Sequence, residues 1–210
     1  MKKIFFSNFS FIRKSSSRKT KAQSLVEFAI SLPILLLLLS GVVEFGFAMN
    51  YYLSLIDATR EAARFYSNED PFTTSGTDNI SFYANTVAMV RANLDPQVIN
   101  PSYQGRRIPL DPLLDDVIVT AYATSGGHVV NRYPAAGPYH LYGNANPIFA
   151  TNAEIENKLV SGAPNAGLLL VEVHYNYHQV LRLPWLLAFV PDPIVLRTYT
   201  IMPLAAAEPP

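Results

Sequence analysis

The chain has 210 residues and a formal net charge of +0, from 16 basic and 16 acidic side chains. Seven of the basic residues lie in positions 1–22, so the other nine, with all 16 acidic residues, leave the remainder at −7. Nucleic-acid binding by that remainder is disfavoured, because it needs clustered Lys and Arg. The absence of cysteine excludes disulfides and thiolate metal sites.

An apolar run with five consecutive leucines, residues 35–39, follows the basic leader, and no charge occurs between Glu27 and Glu44. Carried on to Met49, a helix over this run is about 33 Å long, enough to cross a hydrocarbon core of about 30 Å. A buried core helix is the alternative, but leucine faces every direction and there is no polar stripe. We therefore predict a transmembrane helix over residues 23–49.

The basic leader of residues 1–22 places the N-terminus in the cytoplasm and the rest of the chain outside. A secretory signal fits poorly, because the leader is long and polar and no small-x-small site follows the apolar run at the usual distance. The helix is expected to begin near Gln23, to remain in the protein, and to kink at Pro33. The leader itself is expected to be disordered, with an amphipathic surface helix as the alternative.

Two carboxylates and two glycines mark this helix. Glu27 lies just inside the apolar run, where a carboxylate costs roughly 2.5–3.5 kcal/mol at mid-membrane and less near the boundary. It either extends to the headgroups or is compensated by a positive group. Glu44 is expected to be solvated near the outer boundary. Gly41 and Gly46 leave thin places where another helix could approach closely.

Residues 50–67 have an amphipathic pattern, which predicts an exposed continuation of the same helix. Leu55, Ala58, Ala62 and Phe65 recur at spacings of three and four. The alanines allow tight packing on a sheet or on another helix. Polar residues and a proline then end the helix, which is predicted to be about 40 residues long.

Residues 68–204 predict an extracytoplasmic α+β domain. A second helix is predicted from an Asp78 cap to Leu94, and a capping-box sequence at Thr151 predicts a short helix ending near Gly162. Strands are predicted at residues 117–123, 128–132, 168–179 and 194–202. The first two form a hairpin across a glycine turn, and the last two are antiparallel partners.

Alternation is clearest in residues 168–179. One face carries Leu169, Val171, Val173 and Tyr175, and the other carries Leu170, Glu172, His174 and Asn176. The predicted fold is α+β: a long N-terminal helix, transmembrane in its first half and exposed and amphipathic in its second, with a small antiparallel sheet domain packed on it.

Three irregular segments complete the chain. Residues 133–147 form a long loop that is either functional or mobile. Residues 183–191 are too apolar to face water. They either pack over the sheet or touch the membrane or another subunit, through Trp185, Leu186, Leu187 and Phe189. Residues 205–210 are expected to be a loose tail.

No local signature of catalysis or metal binding is present. His174 and His178 are four residues apart, but in a strand their side chains lie over 13 Å apart. Asp111, Asp115 and Asp116 lack the Gly and final Glu of an EF-hand, and no P-loop or nucleophile elbow occurs. Arg106 and Arg107 are expected to be exposed, because two adjacent arginines are typical of a solvated loop. We expect no enzyme activity, no cofactor and no metal.

The N-terminal part resembles the TadE-like family, minor pilin-like proteins (pseudopilins) of the tight-adherence (Flp) type IV pilus system. The residues that carry the resemblance are Val26-Glu27-Phe28, Pro33, Glu44-Phe45-Gly46 and Ala58 to Arg64. Weaker likeness occurs in Val171 to Tyr175, in Pro193 to Leu196 and at Met202.

The resemblance implies that a prepilin peptidase cuts between Ala22 and Gln23 on the cytoplasmic side. Glycine is commoner than alanine before the cut, so Ala22 departs from the pattern. Glu27 would then be fifth in the mature chain and would pair with the freed amine of Gln23 on an adjacent subunit. The implied partners are the peptidase, other pilin-like subunits, the pilus assembly complex and the bilayer.

Two functions follow. The first is a minor pilin-like protein of the bacterial cytoplasmic membrane, required for pilus assembly and thereby for cell adhesion. The second is an uncleaved, single-pass extracytoplasmic binding domain outside any pilus. Cleavage of the leader discriminates between them.

Overall fold

The computed structural model describes residues 17–209, with side chains from Gln23 onward. The predictions for residues 1–16 of the leader lie outside the described residues. The described residues divide into two units, and the division lies between Val42 and Val43.

Helix α1 is Ser17–Tyr66, and Pro33 lies within it. It begins six residues before the predicted start at Gln23, because this lysine- and arginine-containing segment has good helix propensity. Its end at Tyr66 confirms the predicted boundary. Within the described residues, the part Gln23–Tyr66 is long and apolar enough to cross a membrane.

Five strands form one antiparallel sheet in the second unit. They are β1 (Asp116–Ser125), β2 (His128–Tyr133), β3 (Tyr139–His140), β4 (Ala166–Tyr177) and β5 (Ile194–Pro203). The order is β2-β1-β4-β5, and β3 also pairs with β1. The β1–β2 hairpin and the pairing of β4 with β5 are confirmed. The short strand β3 was not predicted, because two paired residues give no alternation.

One face of the sheet packs on the outer part of α1 and on helix α2 (Ile80–Leu94). The face of β4 that carries Leu169, Val171 and Val173 lies in this core, and its partners there include residues of α1 such as Leu55, Ala58 and Ala62. The predicted stripe of α1 is wrong at its edge: Leu55, Ala58 and Ala62 are buried, but Phe65 is exposed. A stripe read at spacings of three and four is wide enough to miss by one residue at its edges.

The opposite face of the sheet is covered rather than solvated. Tyr122 and Leu170 pack there against Phe149 and Ile155. Ile155 belongs to helix α3 (Asn152–Glu156), whose predicted capping box is present. The helix ends well before Gly162, since only one turn is needed to deliver Ile155 to this cluster.

One polar expectation was wrong. Asp78 does not cap α2, whose N-cap is Asn79. The Asp78 carboxylate instead accepts a hydrogen bond from the amide of Ala135 at 2.7 Å. The loop of residues 133–147 is fixed to β1 through Asp116, which accepts from the amide of Tyr142 at 3.0 Å and lies 2.8 Å from Nδ1 of His140.

The expected loose tail also differs from the structure. A 3₁₀ turn, Ala205–Ala207, follows β5 and buries Ala207, while Leu204 is fully buried beside it. The amide of Leu204 donates to the carbonyl of Gly167 at 2.8 Å. Leu204 and Ala207 are therefore part of the core.

Because this turn lies close to β4, we predict that Gly167→Ala destabilises the domain. The added Cβ would overlap the carbonyl oxygen of Leu204 and crowd backbone atoms of Ala207 and Glu208. Overpacking of this kind costs about 1–3 kcal/mol. Thermal unfolding of the full chain in detergent should show a lower midpoint.

Gly46→Ala is the matched control, because nothing lies within 4 Å of its added Cβ. An unchanged midpoint for Gly167→Ala would mean that the terminal turn does not pack as described.

Candidate functional site

Glu44 is buried, with 7% of its surface exposed. The prediction that it is solvated was therefore wrong. It lies in the last part of the apolar run of α1, where the nearest positions on its own helix, Ser40, Gly41, Phe47 and Ala48, carry no charge. Its partners must come from elsewhere in the fold, because a buried carboxylate without partners is costly.

Three donors meet the Glu44 carboxylate, and they come from the end of β4 and the segment that follows. Its Oε1 accepts from the hydroxyl of Tyr177 at 2.5 Å and from the amide of Val180 at 2.8 Å. Its Oε2 accepts from the amide of Leu181 at 2.9 Å. Hydrogen bonds to charged groups contribute about 1.5–3 kcal/mol each. We call these four residues the Glu44 site.

Aromatic packing positions Tyr177 for this contact. The ring of Tyr51, two turns along α1, packs edge-on to Tyr177 at 5.1 Å and stacks on Tyr175 at 5.9 Å. The Arg106 guanidinium lies 4.8 Å from the Tyr51 ring centroid. Arg106 and its neighbour Arg107 are exposed as predicted, but both have partners, since Arg107 binds Asp95 at 2.7 Å.

The environment of these tyrosines favours their neutral form. Burial raises the pKa of Tyr175 to about 12, with smaller contributions from Tyr51 and Asp115. Burial also raises the pKa of Tyr177, and the hydrogen bond to Glu44 and its negative charge act in the same direction. At neutral pH Tyr177 is therefore a stable hydroxyl donor to Glu44.

We call residues 180–191 the apolar loop; it begins with Val180 and Leu181 of the Glu44 site and contains the predicted apolar segment, residues 183–191. Asp192 closes it by accepting from the amide of Gln179 at 3.1 Å, and Gln179 in turn donates to the carbonyl of Val190 at 3.0 Å. Inside lies the short helix α4 (Pro184–Leu187), with Leu186 buried.

The four predicted contact residues of the apolar loop point in different directions. Leu186 packs inward, whereas Trp185 and Leu187 are each 44% exposed and Phe189 is 77% exposed. Burial within the fold therefore accounts for one of the four. The exposed three leave the second alternative, a contact outside the chain, as a prediction.

The N-terminal part of α1 holds the other predicted site residues. The bond between Ala22 and Gln23 lies inside the helix. The Gln23 amide donates to Oε1 of Glu27 at 3.4 Å, and both side chains are exposed. Neither cleavage nor pairing between subunits is tested by this arrangement.

The predicted helix-packing residues fall into two groups. Gly41 and Gly46 have open space where a Cβ would lie. Ala58 and Ala62 are buried in the core of their own domain, so they are used for packing on the sheet. Only the glycines remain accessible to a neighbouring helix.

The histidines have separate carboxylate neighbours. Nε2 of His174 lies 3.3 Å from Glu172, and Nδ1 of His178 lies 3.2 Å from Asp192. Asp115 accepts from the amide of Asn176 at 2.7 Å. Among the described residues, no group of three or more His, Asp or Glu side chains is arranged to hold a metal ion.

Comparison with known proteins gives one match. Residues 22–64 match the model of a family described as TadE-like protein. No curated protein and no solved structure matches the chain. The matched segment lies within α1 and contains both Glu27 and Glu44, and it confirms the resemblance found in the sequence.

The Glu44 site predicts that Glu44→Ala loosens the apolar loop. Arg182 is exposed in this loop and is followed by Leu183, so trypsin can report its opening. Each lost charged hydrogen bond is worth about 1.5–3 kcal/mol, so the open population should rise by at least roughly 10- to 150-fold. Cleavage after Arg182 should accelerate accordingly at limiting protease.

Glu61→Ala is the control, because it removes a carboxylate from the same helix whose partner is the exposed Arg64. Tyr177→Phe should have a smaller effect than Glu44→Ala, since it removes one donor of three. Equal cleavage rates in Glu44→Ala and Glu61→Ala would contradict the role assigned to Glu44.

Proposed function

Residues 22–64 match the TadE-like family, and from this match we propose a function. The chain is a membrane-anchored minor pilin-like protein required for assembly of a tight-adherence pilus. The family match over the helix is the observation that carries this proposal. The apolar side chains of residues 25–39 add support, because they are largely exposed and need lipid or a neighbouring helix to cover them.

In this proposal α1 is a single membrane anchor with its N-terminus in the cytoplasm. Residues 1–22 are a cleaved leader, residues 23–49 span the membrane and residues 50–67 continue outside. Residues 68–204 form the outer domain. The seven basic residues of the leader support this orientation. The protein acts by assembly and performs no catalysis.

Assembly begins with cleavage by a prepilin peptidase between Ala22 and Gln23. The freed amine has a pKa near 7.7–8.0 in water and is largely protonated at neutral pH. Glu27 of an adjacent subunit would pair with it when helices lie side by side. The contact of Glu27 with the neutral Gln23 amide, at 3.4 Å, leaves its charge to be neutralised by such a partner.

Helix–helix contacts in the assembled state would use Gly41 and Gly46. Small residues let membrane helices approach closely, and both glycines have open space around the missing Cβ. The outer domain would contact other subunits of the pilus system. Whether the protein enters the filament or stays at its base is decided by those contacts.

The first test is the N-terminus of the protein made in its native host. Intact mass and terminal sequencing should find a chain that begins at Gln23. Ala22→Leu should block the cut, since the peptidase requires a small residue before it. A mature protein that still carries Met1 would overturn the pilus assignment and support an uncleaved, single-pass binding domain.

The second test is Glu27→Val. Cleavage should still occur, but piliation should fail, because an amine left unpaired in the assembled interior costs about 3–5 kcal/mol. Counting pili by electron microscopy and sequencing the N-terminus of the same cells separates the two steps. Glu27→Asp, which keeps the charge, is the control and should retain part of the piliation. Normal pili in Glu27→Val would disprove the ion pair.

A further inference from the structure

Exposed apolar side chains gather at one end of the sheet. We call this surface the apolar end, and its residues are Leu113, Leu114, Val180, Trp185, Leu187, Phe189 and Val195. They come from three separate segments: the connection into β1, the apolar loop and the start of β5. Water-exposed apolar surface contributed by several segments marks a contact site.

Hydrogen bonds place these segments together beside Glu44. The carbonyl of Leu114 accepts from the side chain of Asn176 at 2.6 Å, and Asn176 is paired with Val195 across the sheet. The next residue, Tyr177, donates to Glu44. The apolar end is therefore the end of the sheet that faces the Glu44 site.

The level of this end along α1 follows from the Glu44 site. The backbone amides of Val180 and Leu181 are within hydrogen-bond distance of the Glu44 carboxylate. Glu44 is flanked by the exposed apolar side chains of Val43 and Phe45, and the helix stays apolar as far as Met49. The apolar loop thus lies level with the last residues of the predicted membrane span.

The charge of the apolar loop is positive, as expected for a loop that contacts phospholipid headgroups. Residues 180–191 contain one charged residue, the exposed Arg182, and no acidic residue. The neighbouring Asp192 is occupied with Gln179 and His178. A tryptophan beside aliphatic side chains and an arginine is typical of the membrane–water interface, where the indole sits at headgroup level and the cation meets phosphate.

We propose that the apolar end rests in the outer leaflet of the bilayer, with Trp185, Leu187 and Phe189 in its interfacial layer. The proposal rests on the membrane-anchor part of the proposed function and is independent of cleavage and of pilus assembly. Lipid, rather than a protein partner, covers these side chains, because the Glu44 site ties the loop to the same level of α1 that the membrane boundary occupies.

Trp185 is the sole tryptophan of the chain, so its fluorescence reports this loop in the otherwise native protein. The full chain is reconstituted at low density into phosphatidylethanolamine–phosphatidylglycerol vesicles, with lipids brominated either near the headgroup end or near the chain end. We expect quenching that is stronger for the shallow bromines than for the deep ones, a blue-shifted emission, and protection from aqueous acrylamide.

Two single-tryptophan variants calibrate the measurement. Trp185→Phe combined with Val160→Trp places the probe at an exposed position beside the β1–β2 turn, at the opposite end of the sheet; it should be quenched by acrylamide and not by bromolipid. Trp185→Phe combined with Leu36→Trp places the probe inside the apolar run; it should be quenched most by the deep bromines.

The outcomes separate this proposal from the anchor itself. Deep quenching at position 36 without bromolipid quenching of Trp185 would keep the anchor and overturn the interfacial loop. Shielding of Trp185 from both bromolipid and acrylamide would assign the apolar end to a second copy of the chain, which also overturns it. Failure of bromolipid to quench position 36 would overturn both the anchor and the loop proposal.

Discussion

The buried carboxylate of Glu44 constrains the path of the chain where it leaves β4. It lies at the end of the apolar run of α1, and its helix offers it no charged partner. The fold satisfies it with one tyrosine hydroxyl and two backbone amides from the end of β4. Because amides cannot be moved without moving the chain, this fixes the path of the apolar loop, and the surface that the loop exposes follows from that path.

Small residues make one part of the remaining helix–sheet contact, and aromatic residues make the other part. Ala58, Ala62 and Ala63 let the backbone of α1 approach the sheet closely, and the buried Thr59 hydroxyl lies 3.0 Å from that of Thr200 on β5. Closer to Glu44, Tyr51 packs against two tyrosines of β4. The helix–sheet contact therefore changes from small side chains to aromatic ones along α1.

The sequence predicted the parts of this fold that depend on periodicity. The alternation of β4 separates its two faces, and the stripe of α1 identifies most of its buried side, because these positions follow from backbone geometry. It did not predict the partners of Glu44, of Asp78 or of the terminal turn, because each depends on contacts between distant segments. One signal was available at Glu44: a carboxylate that ends an apolar run with no cation three or four residues away needs a partner from elsewhere. The site residues of the leader junction came from family likeness, which geometry does not test.

The antiparallel course of α1 and β4 has a mechanical consequence. A force that draws α1 along its axis reaches the outer domain first at Glu44, where the load falls on hydrogen bonds to Tyr177 and to the following amides. From Tyr177 it passes into β4, a strand that is paired along both sides, by β1 and by β5. A pull on the helix would thus load the start of the apolar loop, at Val180 and Leu181, together with a doubly paired strand of the sheet.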